Sequence, residues 1–311
     1  MMIEPAGRDA GSDAVEKAGD GESRAGFVAL LGPPNAGKSS LLNALLGERL
    51  AIVTAKPQTT RSRLLGILPR GSAQILFLDT PGLHRSTKKL NVALNDVVAE
   101  VSRDCDLALL LVDRARGWSE IHDVLASSLR ALARPTLVVG TKSDLDRARS
   151  APWPIAEAGT EWPAIAVSAR TGEGLEALLD AIVDALPLSP PLYDGDELTD
   201  RPMRFLCAEM IREAAFEMLD QELPYSIAVE VVRFDESDPR ALTIRANLLV
   251  ARDSQKRIVV GRGGSMIKRI GTRARVAIQD WLERRVHLEL FVKVDPAWLK
   301  SRRRLEELGY H

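Results

Sequence analysis

Gly32-Pro33-Pro34-Asn35-Ala36-Gly37-Lys38-Ser39 fits the pattern G-x-x-x-x-G-K-[ST], and its surroundings decide the fold. The apolar run Phe27-Val28-Ala29-Leu30-Leu31 precedes it, and the helix-like Leu41-Leu42-Asn43-Ala44-Leu45-Leu46 follows. Strand, loop, helix is the context that a phosphate-binding P-loop needs. Its glycines let backbone N–H groups face phosphate oxygens, the helix N-terminus favours negative charge, and Lys38 adds a point charge. Ser39 is placed to bind Mg²⁺, and the expected cradle runs from Gly32 through Ser40. The motif implies a nucleoside triphosphate and leaves its base and its use open.

Outward from this loop, short apolar runs at residues 27–31, 64–68, 74–79, 107–112, 136–140 and 164–168 read as strands. Helical stretches are predicted at residues 91–102, 119–132 and 174–186. That alternation predicts a mostly parallel, doubly wound α/β domain over residues 25–186, with ligands at the carboxyl ends of strands. Residues 1–24 have no hydrophobic period and read as a disordered extension. The Pro-rich stretch 187–200 reads as a stiff linker. Residues 201–311 carry a different pattern, that of a small α+β domain. There, 204–219 is amphipathic, 227–234, 242–250, 257–260 and 287–294 read as strands, and 265–282 reads as a helix interrupted at Gly271.

Composition narrows the class. The 311 residues are 45% hydrophobic and 27% charged, as in a soluble globular protein. The apolar run at 107–112 ends at Asp113, far short of the roughly 20 residues of a membrane span. Residues 1–24 hold no apolar core of a secretory signal. The two cysteines, Cys105 and Cys207, lack companions at metal spacing and read as reduced, buried thiols of a cytoplasmic protein. The net charge of −1 hides an asymmetry. Residues 1–200 hold 21 Lys+Arg against 27 Asp+Glu, whereas residues 201–311 hold 21 against 16. The stretch 252–285 alone carries ten basic and three acidic residues. A basic second half suits a polyanionic partner, although on charge alone a solvated helix face is the simpler account.

Further motifs fall at predicted strand ends. Asp79-Thr80-Pro81-Gly82 closes the strand at 74–79; Asp79 can hold Mg²⁺ through water and the Gly82 N–H can meet a γ-phosphate oxygen. Thr141-Lys142-Ser143-Asp144 follows the strand at 136–140. Asp144 can accept from guanine N1 and N2, a donor pair that adenine lacks, while the Lys142 stem packs on the base. A helix N-cap is the plainer role for Asp144. Ser168-Ala169-Arg170 can offer backbone to guanine O6. Gln58-Thr59-Thr60-Arg61 lies between the P-loop helix and the next strand. There Thr60, in preference to Thr59, can reach Mg²⁺, unless this is simply a polar loop.

Together the P-loop, Thr59/Thr60, D-T-P-G, T-K-S-D and S-A-R resemble the translation-factor-related GTPases over residues 27–186. Two departures matter. Thr141 stands where the base-reading motif usually has Asn, and guanine specificity is expected to survive it. Leu83 stands where Ras-like GTPases carry a water-orienting Gln. Leu83 places the chain with GTPases in which a P-loop Asn binds K⁺ between the phosphates, and Asn35 occupies that place. The resemblance thus implies Lys38, Asn35, Thr60 and Gly82 as catalytic groups. An arginine finger is worth about 10³–10⁵ in rate, so slow turnover is expected without a cation or partner.

In the second half, Gly261-Arg262-Gly263-Gly264 is a G-x-x-G loop expected between a strand and a helix. In KH domains such a loop clamps about four single-stranded nucleotides. Arg262, Lys268, Arg269, Arg273 and Arg275 surround it with charge, and Ile258, Val260, Met266 and Ile267 can floor a base groove. A Gly-rich turn is the bland alternative. Arg204-Phe205, Glu209, Ile211-Arg212-Glu213, Glu222-Leu223-Pro224-Tyr225-Ser226, Ile270-Gly271, Ala274-Arg275, residues 286–294 and Leu308-Gly309-Tyr310 are similar to the Era family of bacterial GTPases. That resemblance implies a GTPase domain joined to a type II KH domain over residues 201–311. It also implies binding of the 3′ end of 16S rRNA, action on the 30S ribosomal subunit precursor, and a cytoplasmic monomer able to associate peripherally with the inner membrane. An RNA-binding assembly factor in which nucleotide only tunes affinity is the alternative. A tRNA-modification GTPase would end in a catalytic Cys and a double-domain ribosome GTPase would carry two P-loops, and neither feature is present.

Overall fold

The computed structural model describes residues 23–54, 56, 64–79, 105–158, 161–298 and 301–309. Its first sheet has the strands β1 (Arg24–Leu31), β2 (Leu64–Arg70), β3 (Ala73–Asp79), β4 (Leu107–Asp113), β5 (Thr136–Thr141) and β6 (Ala164–Ala166). Their order is β2-β3-β1-β4-β5-β6. All pairs are parallel except β2–β3. The continuous apolar runs have a physical cause: β3, β4 and β5 are buried along their whole length, as strands covered on both faces must be. Val28, Leu30, Phe77, Leu109 and Val139 pack to one side with α1 (Lys38–Leu46), and Ala29, Leu31, Ala108 and Leu110 to the other with α2 (Glu120–Ala131). Two further α-helices, α3 (Asp146–Ser150) and α4 (Leu175–Ala185), lie in the described part of this half. The helix expected at 91–102 lies outside the described residues.

β1 begins at Arg24, inside the stretch expected to be an extension, because Arg24 pairs in register with Ala73. Residues 188–198 run along the sheet rather than away from it. The Ser189 N–H donates to Ser23 O (3.0 Å), Gln74 Oε1 accepts the Leu192 and Tyr193 N–H groups, and the Ile67 N–H donates to Leu198 O (2.8 Å).

The second sheet, β7 (Ile227–Asp238), β8 (Ala241–Val250) and β9 (Arg285–Val294), pairs β7 antiparallel and β9 parallel to the central β8. It packs under α5 (Met203–Met218) and α7 (Ser265–Leu282). α7 buries Ile270, Ala274 and Ile278, a stripe at fourfold spacing. Truncating such a buried Ile to Ala costs about 2–5 kcal/mol. α8 (Arg302–Glu307) closes the other face over Trp298, which with Ala228 and Leu249 forms a small core.

Two sequence expectations fail in this half. Residues 257–260 are helical, part of α6 (Asp253–Val260), not a strand. Gln255 Oε1 caps the entry by accepting the Ala251 and Arg252 N–H groups, and Asp253 suits the first turn. Val259 alone is buried while Ile258 is 58% exposed, a helical rather than alternating pattern. Helix α7 also runs unbroken through Gly271, which lies over the Leu290 side chain of β9.

Candidate functional site

The loop after β1 is preformed for an anion. Gly37 has φ 94° and Asn35 φ 64°, left-handed values that turn successive N–H groups toward one concavity. The Ala36 N–H donates to Pro33 O (3.2 Å), closing the turn. Lys38 is 8% exposed, and its ammonium curls over the loop to Gly32 O (3.0 Å) and Pro33 O (3.1 Å). Burial pushes its pKa down, and the Asp79 carboxylate only partly offsets that. A buried ammonium in this position gains from an arriving phosphate charge. Ser40 lies beyond Ser39 and lines the neighbouring cleft.

Asp79, fully buried at the end of β3, accepts from the Ser39 hydroxyl at 2.9 Å. A hydroxyl paired with a carboxylate is an all-oxygen donor set, which fits Mg²⁺. Thr59, Thr60, Thr80, Pro81, Gly82 and Leu83 lie outside the described residues.

The base-side motifs converge on a cleft of about 890 Å³ bounded by α1, Thr141, Lys142, Asp144, Ala169 and Arg170. Thr141 stands where the motif it resembles usually has Asn. Its buried hydroxyl donates to Ala36 O at 2.7 Å and lies 3.3 Å from Val112 O, tying β5 to the phosphate loop. Lys142, at φ 58°, sends its ammonium to Asn35 O (2.8 Å) and to Asp113 Oδ2 (2.7 Å). The Asp144 carboxylate is 7% exposed and held at both oxygens, Oδ1 by the Ser168 hydroxyl (2.7 Å) and Oδ2 by Arg170 Nε (2.8 Å). The Ser168 bond, aided by Arg170, holds its pKa below the usual carboxylate value. Asp144 caps no helix: α3 has Leu145 at its N-cap position. Asp113, missed in the sequence reading, belongs to this set; its only signal was the charge ending an apolar run.

The second glycine loop joins α6 to α7, so a helix stands on both sides of it. Gly261, Gly263 and Gly264 all have positive φ (73°, 56° and 79°). A Cβ on Gly261 would sit 2.8 Å from Met266 N. Arg262 and Gly263 are exposed at the tip, and Lys268 and Arg269 are exposed on the first turns of α7. Arg273 is 3.4 Å from Glu217 of α5, and Arg275 donates to Gln279 at 2.6 Å. These two arginines are therefore partly engaged by the protein. Ile258 is exposed, Val260 half-buried, and Met266 and Ile267 pack on the core.

Residues 27–142 match the family model described as "50S ribosome-binding GTPase", and residues 222–299 match that of the KH domain. GTPase Era of Nitratidesulfovibrio vulgaris (strain DSM 19637 / Miyazaki F) is 43% identical, across 93% of this chain and 97% of its own. GTPase Era of Geobacter metallireducens is 42% identical, across 94% and 99%. Among solved structures, Era in complex with MgGDPNP and nucleotides 1506–1542 of 16S ribosomal RNA superposes with a TM-score of 0.83 at 34% identity, across 93% of this chain and 99% of that one. An Aquifex aeolicus Era variant bound to GDP and AlF4⁻ gives 0.82 at 34%, across 92% and 99%. With identity of this order along nearly its whole length, and with a P-loop GTPase half preceding a KH half, the chain belongs to the Era family of GTPases.

Proposed function

We propose that this GTPase binds the 3′ end of 16S rRNA through its KH half and acts in 16S rRNA processing and maturation of the 30S subunit precursor. One observation carries the reading: a single chain presents two glycine loops with positive φ and opposite character. The first is closed, with buried Lys38, and the second is open, with Arg262 at its tip. The Era structure containing 16S rRNA nucleotides supports the choice of RNA.

In this reading Gly32 to Ser40 and Lys38 bind the triphosphate, Asp144 with Lys142 and the 168–170 backbone reads guanine, and Thr141 keeps the base strand against the phosphate loop. Ser39, Asp79 and Thr60 would hold Mg²⁺, which would supply neutralisation of the phosphate charge. Asn35 would hold K⁺. Gly261 to Gly264 take the RNA backbone, with Arg262, Lys268 and Arg269 leading and Arg273 and Arg275 following. The domain limits of this reading are 25–186 and 201–311, joined by 187–200, although β1 starts one residue before the first limit. No helix of the described residues is long and apolar enough to cross a membrane. In this reading the chain works as a cytoplasmic monomer with peripheral membrane contact.

The test is direct binding to an RNA of the 16S 3′-terminal sequence, with a non-hydrolysable GTP analogue and with GDP. Specific binding that depends on the nucleotide is expected. Equal affinity for an unrelated RNA of the same length would refute the assignment.

A further inference from the structure

Glu213 projects from α5 of the KH half, yet its carboxylate meets the nucleotide half. Its Oε2 lies 2.8 Å from Arg49 Nη2, and its Oε1 accepts the Val53 N–H at 3.1 Å. The Glu213 side chain is only 4% exposed. Both partners line the same cleft as Thr141, Lys142 and Asp144. A KH helix thus supplies the anchor for one wall of the pocket in which guanine nucleotide is proposed to sit.

That wall needs an anchor. α1 ends at Gly47 in the left-handed region, and the chain then runs irregularly. Its first part is held from within the nucleotide half, where Asn43 Oδ1 accepts the Leu50 (3.0 Å) and Ala51 (2.8 Å) N–H groups. Farther on, the Lys56 ammonium donates to Phe216 O at the end of α5 (2.9 Å). Val53, 38% exposed, falls between these two fastenings. Glu213 binds it there. A carboxylate as buried as this one holds its partners in place, because leaving it unpaired is costly. Arg49, 42% exposed, has much of its surface in solvent and gains a fixed direction from the pair.

We infer that Glu213 is a positioning residue of the nucleotide cleft, contributed by the KH half. It holds the Arg49–Val53 wall in place and so slows the release of bound nucleotide. The inference rests on the reading of this cleft as the guanine nucleotide site. Because coupling between sites is reciprocal, the same contact lets bound nucleotide bias the placement of α5.

The test is release of fluorescent mant-GDP from the full chain, in wild type and in Glu213→Ala, Glu213→Gln and Arg49→Met. Hydrogen bonds to charged groups are worth enough that Glu213→Ala should release nucleotide about tenfold faster. Glu213→Gln, whose amide oxygen can still accept from Val53, should fall closer to wild type, and Arg49→Met should lie between. A residue that merely stabilised the fold would lower the melting temperature without this graded order of release rates. If Glu213→Ala does not fold, the other two variants carry the test. Release within twofold of wild type in every folded variant overturns the inference. Failure of wild type to bind mant-GDP at all overturns the nucleotide reading, and this inference with it.

Discussion

Thr141→Val removes one hydroxyl and almost no volume, so it isolates the bond between the base strand and the phosphate loop. That hydroxyl donates to Ala36 O at 2.7 Å, and both residues are buried, Thr141 at 4% and Ala36 at 1% exposure. The valine leaves the Ala36 carbonyl short of a donor in a place water does not reach. An orphaned buried acceptor costs about 1–3 kcal/mol. For a half of this size, each kcal/mol moves Tm by roughly 2–4 °C, so nucleotide-free protein should melt about 2–12 °C lower. Part of the loss should reappear in binding. A loop freed from Thr141 must be reordered by the ligand, which weakens GDP affinity by up to about tenfold at 1.4 kcal/mol of reordering. Thr141→Ser keeps the hydroxyl and should recover most of both. The measurements are thermal melts with and without GDP, and calorimetric titration of GDP. If Thr141→Val melts with wild type and binds GDP equally, the hydroxyl is not what replaces the missing Asn.

Further outcomes are expected. Asp144→Asn loses the charged acceptor for guanine N1 and N2 and should raise the KM for GTP by roughly a hundredfold or more. Because Ser168 and Arg170 lower the Asp144 pKa, the acid loss of wild-type GDP affinity should begin below the ordinary Asp value; a loss beginning at or above that value would contradict this. For Glu230, burial alone would raise the pKa, but hydrogen bonds from Asn247, Arg304 and Lys293 outweigh it and hold the carboxyl at about 2. A depressed pKa stabilises the fold above the ordinary Glu value of 4.5 and ceases to do so as pH falls toward about 2. The protection factors of α8 amides, taken relative to the intrinsic exchange rate at each pH, should therefore fall across that window in wild type and change less in Glu230→Gln. Replacing both Arg262 and Gly263 by Asp should abolish RNA binding while GTP turnover without RNA persists; unchanged RNA affinity would move the site elsewhere. Turnover in K⁺ should exceed that in Na⁺, and Asn35→Asp should erase the difference; equal rates in the two salts would remove the cation role.

Most of the first half was legible because parallel strands covered on both faces must be apolar throughout. The segments following β1, β5 and β6 reach the cleft because ligands of such sheets sit at the carboxyl ends of the strands. What the sequence hid were partners fixed by tertiary distance. Asp113 and Lys142 lie 29 positions apart, and Val53 and Glu213 lie 160 apart. No local period signals either pair. The misread segment 257–260 shows the other failure. Arg257-Ile258-Val259-Val260 has β-branched side chains suited to a strand, but the Gln255 cap and a single inward Val make it the end of a helix. Propensity is a weak prior against capping and burial.

The two glycine loops use the same backbone device, successive N–H groups freed by positive φ ahead of a helix, and their flanks decide what each can hold. At Gly37 the loop is bound in by Thr141, Lys142 and the ammonium of Lys38, so only a compact, highly charged group reaching inward satisfies it. At Gly263 nothing lies within 4 Å of where a Cβ would be, and Arg262 beside it is exposed. Such a loop can meet a chain of phosphodiesters passing across it, each carrying one charge, but cannot enclose a triphosphate. The buried cation makes the first site selective for charge density, and the open second site makes it tolerant of length. That difference in burial supports the proposal that the first loop takes the triphosphate and the second the polynucleotide.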